Sequence, residues 1–264
     1  MTASQRLHHW SGAVALDAAV AVSTRHGGVS EGPYESLNLG LHVGDDDDRV
    51  VANRQRVVAD FGGDPQTTVY AQQVHGAGIS LVNQGLGGRG FHSVEDALPD
   101  TDVLVATDGG ITLCILVADC LPVALIDPEA RVLAVVHAGW RGTAAGVVRH
   151  AVAAMCEQGG QPERIVAYFG PAVAPSDYQV DEVVVRGLVE AAAPHPLDPA
   201  AASPDGDGHW LVDLPAANRQ QLALVGLEPD CIIDCGATTA NADYFSDRAQ
   251  RPCGRFAMMA RLSP

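Results

Sequence analysis

Three side chains in this sequence have the chemistry to hold a metal ion together: His75 in QQVHG, Cys120 in VADCLP and His137 in VVHAGWRG. A thiolate and two imidazoles around a Zn²⁺, with one coordination position left open, form a centre that activates water. Taken singly, a cysteine in an apolar run or a lone histidine is more often a packing residue. What sets these three apart is a shared setting, since each stands at the end of an apolar run beside polar or glycine residues. The same residues also suit chemistry without a metal, in which Cys120 is a nucleophile activated by His137 and the protein is a thiol hydrolase or amidase. A purely structural zinc in a binding module is the non-enzymatic alternative.

The elements around these residues decide whether they meet. Runs 111–118 (ITLCILVA), 122–126 (PVALI) and 131–137 (RVLAVVH) are rich in strand formers, and DPEA at 127–130 has turn chemistry. A symmetric turn there pairs Ile126 with Arg131 and, counting back along both strands, Cys120 with His137 on one face of a hairpin. A slip of one residue would send one side chain to the opposite face, and Pro122 removes a ladder donor. His75 follows a β-like run at 67–74. Glycines flank Trp140 and Arg141, and the residues after them predict a helix capped by Thr143 with Val147, Val148, Ala151, Val152 and Met155 as its apolar stripe. Arg141 and the N–H groups of that helix start could hold a phosphate or carboxylate, or simply form a tight turn with an exposed guanidinium. Asp119 is next to Cys120, but neighbours on a strand point to opposite faces, which makes it a weak choice for moving protons in the site.

Elsewhere, 13–24 reads as one or two strands, and Asp45 to Asp48 open a helix that ends at Gly62–Gly63. Residues 164–169, 210–213 and 231–234 read as strands, and 214–225 as a helix with Pro215 in its first turn. Segments 84–101 and 194–209 carry Gly, Pro and acids without apolar periodicity, as lids or plain insertions do. There is no internal repeat, so 1–264 is kept as one mixed α/β or α+β domain.

Composition narrows the partners. The chain has 264 residues, 47% of them apolar, enough for a sizeable core. Its 16 cations, all arginine, face 32 acids for a net charge of −16, which argues against nucleic acid and anionic membranes as partners. An anionic substrate remains open if arginines converge on one cleft. No run reaches the roughly 20 apolar residues of a membrane span, and the first residues lack a secretory pattern, so a soluble cytoplasmic protein is expected. The six cysteines form no C-x-x-C pair and are expected as free thiols. No feature assigns an oligomeric state.

The runs YESLNLGLHVGDD, NR at 53–54, QQVHG, VADCLPVALID, VLAVVHAGWRGT, YFGPAVAPSDYQV and DLPAANRQQL together resemble the multicopper polyphenol oxidase, or laccase-domain, family. It is also called YfiH-like or peptidoglycan editing factor, a name that implies cell-wall precursors as what a Cys120–His137 thiol hydrolase or amidase would edit, and it includes mammalian FAMIN. The resemblance runs from about residue 24 to the C-terminus. It implies a single α+β domain of mixed β-sheets layered between helices, with zinc held by His75, Cys120 and His137. It further implies phosphorolysis of adenosine, inosine, guanosine and methylthioadenosine, and hydrolytic deamination of adenosine. Asn38, Arg54 and Arg141 match positions around the nucleoside and phosphate. Two departures stand out: Ala172 replaces a family cysteine, and Phe245 to Gln250 (FSDRAQ) replaces FSYRRD, losing a tyrosine and an arginine. If that arginine helps hold phosphate, phosphorolysis would be the weaker activity. The family's older name suggests copper, but a blue-copper site plus a trinuclear cluster needs many imidazoles, and ten histidines without one H-x-H motif do not provide them. Copper is expected only as an adventitious occupant, since Cu²⁺ binds such ligands more tightly than Zn²⁺.

Overall fold

The structure is a computed structural model that describes residues 6–264. In chain order its first elements are β1 (Leu7–His9), β2 (Ala18–Ser23), α1 (Asp47–Asp60), β3 (Thr68–Tyr70), β4 (Ile79–Val82), β5 (Val103–Ala106) and β6 (Thr112–Val117). The central hairpin follows, β7 (Leu121–Asp127) and β8 (Val132–Ala138), then α2 (Trp140–Ala144), α3 (Val147–Glu157) and β9 (Val166–Phe169). The last elements are β10 (Gln179–Asp181), α4 (Glu182–Ala192), β11 (Ala202–Pro204), β12 (His209–Val212), α5 (Leu214–Leu224), β13 (Ile232–Asp234) and β14 (Phe256–Leu262). No helix among the described residues is long and apolar enough to cross a membrane.

Two mixed sheets pack face to face, one ordered β1-β2-β14-β6-β3 and the other β13-β9-β7-β8-β5-β4. Because a strand alternates its side chains between faces, each central strand feeds two layers. On β6, Leu113, Ile115 and Val117 point between the sheets to meet Ala124, Ile126, Leu133 and Val135. Cys114 and Leu116 point outward and pack against Val57 and Val58 of α1. On the far side of the larger sheet, Val123, Leu125, Ala134 and Val136 meet Val147, Val148, Ala151, Val152 and Met155 of α3, with Leu214 and Leu222 of α5. This is the expected α+β body of sheets layered between helices, and strands covered on both faces explain the unbroken apolar runs of the sequence. A small third sheet, β10-β12-β11, stands apart.

Several local expectations need correction. The hairpin pairs Leu121 with Ala138 and Asp127 with Val132, so Cys120 lies opposite Gly139 and not His137. The reason is at the turn: Asp127 remains in the ladder, its carboxylate accepts the N–H groups of Glu129 and Ala130, and Arg131 takes a left-handed φ of 51° inside the turn. The displacement is two residues, which preserves the face, so Cys120 and His137 stay diagonal neighbours. Thr143 caps nothing: it is buried within α2, which begins at Trp140 after Gly139, while α3 begins after Gly146 with φ 77°. The first half of 13–24 belongs to a 3₁₀ turn, Ser11–Leu16, and β3 covers only three residues of 67–74. Segment 194–209 contains β11, and its final residue, His209, opens β12, so it forms part of the small sheet. The helix opened by the aspartates is as expected, with Asp46 accepting the N–H of Arg49.

Candidate metal centre and cleft

His75, Cys120 and His137 converge: their donor atoms all lie within 4.8 Å of one another. The two rings stand edge to face with centroids 4.7 Å apart. His137 comes from β8 on the face between the sheets and is 3% exposed, whereas Cys120 is half-buried and His75 is exposed. Cys120 and His75 are presented from left-handed backbone: Asp119 has a φ of 91° and His75 itself a φ of 60°. Gly139 is required by close approach, because a Cβ there would sit 2.9 Å from the Cys120 sulfur and 3.2 Å from the His75 ring.

Asp102, which sequence reasoning missed, completes the arrangement. It precedes β5 directly opposite His137, whose N–H donates to the Asp102 carbonyl at 2.8 Å. Its side chain is fully buried and lies 2.7 Å from His137 Nδ1. The only signal in the sequence is an acid immediately before the apolar run VLVA. Burial works against ionisation of the Cys120 thiol, but the adjacent His137 and His75 outweigh it and drive the group toward thiolate. Burial likewise disfavours a charged His137, and the Cys120 thiolate and Asp102 together overcome it.

The three donors open onto a cleft of about 880 Å³, lined also by His42, Arg54, Trp140, Arg141, Tyr178 and Arg255. That volume lies within the range of small-molecule sites. Arg54, from α1, is 2% exposed and donates to the carbonyls of Leu39 (2.8 Å), Gly90 (2.6 Å) and Phe91 (2.9 Å), with its guanidinium stacked over Tyr70. Among the described residues no carboxylate forms an ion pair with it, so a buried cation meets the cleft without a carboxylate in direct contact. Segment 84–101, read as a lid or a plain insertion, wraps this guanidinium and contributes Gly90, Val94 and Ala97 to the cleft wall. Arg141 is exposed and stacks on Trp140 at 4.3 Å.

Asn38 is not brought to the cleft. Its oxygen accepts the N–H groups of Gly40 and Arg255, and its amide donates to Asp45, so the side chain ties together the loops that carry His42 and Arg255. His42 lines the cleft and escaped notice in the sequence although it lies in the LHVGDD run; its residue surface is exposed, but desolvation of the ring within the cleft, then Arg255 and Arg54, push its pKa down to about 4. Asp119 faces the cleft too, but its oxygens accept from Thr239 Oγ1 and the Arg248 N–H. In the departing run, Asp247 pairs with Arg251 and Arg255 at the cleft edge. Ala172 is buried and bridges Thr238. All six cysteines are free thiols, as expected.

Residues 19–263 match the family described as multi-copper polyphenol oxidoreductase laccase. The chain is 42% identical over 233 residues to a purine nucleoside phosphorylase of Streptomyces coelicolor, covering 88% of this chain and 90% of that protein. It is 38% identical over 238 residues to purine nucleoside phosphorylase YlmD of Geobacillus stearothermophilus, covering 89% and 86% respectively. The crystal structure of YlmD from that organism superposes with a TM-score of 0.90 at 35% identity, covering 94% of this chain and 93% of that one. The Bacillus licheniformis protein YfiH superposes equally well, TM-score 0.90 at 31% identity with 93% of each chain covered. The protein belongs to this laccase-like YfiH family. Its donor inventory does not match the copper in the family's description, since among the described residues a single three-donor group converges, too few ligands for a blue-copper site plus a trinuclear cluster.

Proposed function

We propose that the protein is a zinc-dependent purine nucleoside phosphorylase, acting on adenosine, inosine, guanosine and methylthioadenosine. One observation carries the reading: a single cleft joins a two-imidazole, one-thiolate donor set to a buried guanidinium that lacks a carboxylate partner. The first suits a zinc ion and the second suits an oxyanion such as phosphate. Relatives named as purine nucleoside phosphorylases support the same reading.

His75, Cys120 and His137 would hold the ion, and their fit rests on the proximity of the three donors, the thiolate character of Cys120 and the engagement of His137 Nδ1 by Asp102. When bound, a divalent zinc supplies a Lewis acid that draws electron density from a substrate atom and acidifies water. In phosphorolysis a phosphate oxygen bonds to C1′ while the C1′–N9 bond breaks and its electron pair passes to the purine. Arg54 holds the phosphate charge in a water-poor environment, where a fixed guanidinium is worth more than in bulk solvent. Arg141 and Trp140 offer a charged and stacking wall at the exposed side for the nucleoside. The same donor set suits hydrolytic deamination of adenosine, which needs water and no phosphate.

Product analysis on adenosine separates the readings. Adenine and ribose 1-phosphate, formed only when phosphate is present and lost on chelation, are expected for the phosphorylase. Inosine formed without phosphate reports the deaminase. Activity that survives metal removal but not alkylation of Cys120 would replace both with the thiol hydrolase.

A further inference from the structure

We propose that Asp102 is the positioning residue of the metal centre: its ionised carboxylate fixes both imidazole donors at once, the ring of His137 and the backbone turn that presents His75. The proposal rests on the reading of the three-donor group as a metal site. Four donors converge on two oxygens. Oδ1 takes His137 Nδ1 at 2.7 Å and the His75 N–H at 3.0 Å, while Oδ2 takes the N–H of Gly76 at 2.7 Å and of Val74 at 3.3 Å. The backbone groups can only donate, so both oxygens must accept, a condition met by an ionised carboxylate. Nδ1 of His137 then carries the proton and Nε2 keeps its lone pair for a metal.

The same bonds hold His75 in a left-handed conformation, φ 60°, that a non-glycine residue adopts only at a cost. Three consecutive N–H groups bound to one carboxylate offset that cost and turn the imidazole toward Cys120.

Asparagine is nearly isosteric and cannot reproduce this. With its oxygen toward Val74 and Gly76, its NH₂ faces the His75 N–H and His137 Nδ1, which forces the ring proton onto Nε2. With its oxygen toward His137, the NH₂ meets the two other N–H groups. Either orientation sets donor against donor.

The test compares wild type and Asp102→Asn by Co²⁺ and Zn²⁺ affinity in chelator competition, by the visible spectrum of the Co²⁺ form, and by circular dichroism as a fold control. A folded D102N is expected to lose about 10–100-fold in affinity and to show an altered Co²⁺ spectrum. A folded D102N with wild-type affinity and spectrum overturns the proposal and leaves the metal reading intact. Wild type that binds neither ion overturns both. A measurement independent of the variant is long-range ¹H–¹⁵N correlation of His137 in the zinc-loaded protein, where a proton on Nδ1 is expected and a proton on Nε2 overturns the assignment even if D102N fails to fold.

Discussion

Replacing Gly139 with alanine adds one methyl group at the centre and little else. The backbone there, φ −75° and ψ 171°, is open to any L-residue, so the substitution brings no conformational strain. The new Cβ would stand 2.9 Å from the Cys120 sulfur and 3.2 Å from the His75 ring. Ordinary packing begins at about 3.5 Å, so the sulfur must withdraw by roughly 0.6 Å and the ring by roughly 0.3 Å. Metal–ligand distances tolerate only about 0.2 Å. G139A should therefore lower zinc affinity by about 10–100-fold, the scale of a disturbed ligand orientation. Overpacking of this kind costs about 1–3 kcal/mol of stability, which leaves the protein folded. The assay is zinc content after dialysis against a competing chelator, with turnover of adenosine plus phosphate and thermal unfolding followed in parallel. A folded G139A that keeps stoichiometric zinc at wild-type affinity and full turnover refutes the reasoning.

Arg54→Gln should raise KM for phosphate at least about tenfold, the equivalent of roughly 1.4 kcal/mol of a charge-assisted hydrogen bond, while zinc content stays unchanged; an unchanged KM removes Arg54 from the phosphate site. Arg141→Ala, at an exposed position, should alter stability by no more than about 0.5 kcal/mol yet reduce kcat/KM for nucleosides, and wild-type kinetics would dismiss it as a binding residue. Asp127→Asn tests the turn. Burial opposes ionisation there, but the N–H groups of Ala130 and Gln161, with Arg164, win and hold the carboxyl below its ordinary range. Its stabilisation is thus present above the ordinary carboxylate pKa and is lost as pH falls through the depressed folded value. D127N should cost about 1–3 kcal/mol in urea unfolding at pH 7, a loss that shrinks as pH falls through the depressed folded value, and a loss unchanged across the acid range would contradict the assignment.

The layered α+β architecture was legible because strands covered on both faces leave long apolar runs, and because α1, α3 and α5 carry their own signals: capping acids, an apolar stripe and an early proline. The convergence of His75, Cys120 and His137 was legible from the setting of each residue, although the pairing that joins Cys120 to His137 is displaced by two positions. Turn length cannot be read from residue types when, as with Asp127, a side chain both pairs in the ladder and caps the turn. Asp102 was invisible for a different reason: its partner His137 is 35 positions away, and a lone acid at the foot of a strand looks like solvent-facing punctuation. Arg54 and Asn38 could not be told apart by type, since both are polar residues buried in neighbouring segments. Only the folded chain shows that one meets the cleft and the other is consumed by Gly40, Asp45 and Arg255.

The donors also occupy a particular place in the chain's path. His75 lies on the passage from β3 in the smaller sheet to β4 in the larger, and Cys120 on the passage from β6 to β7, which crosses between the same two sheets. In the proposed centre, an ion held by both passages and by His137 would act as a rivet through the seam of the sandwich. Any sliding of one sheet over the other is then felt first as distortion of the coordination sphere, so the colour of a cobalt-loaded sample becomes a strain gauge for the whole body.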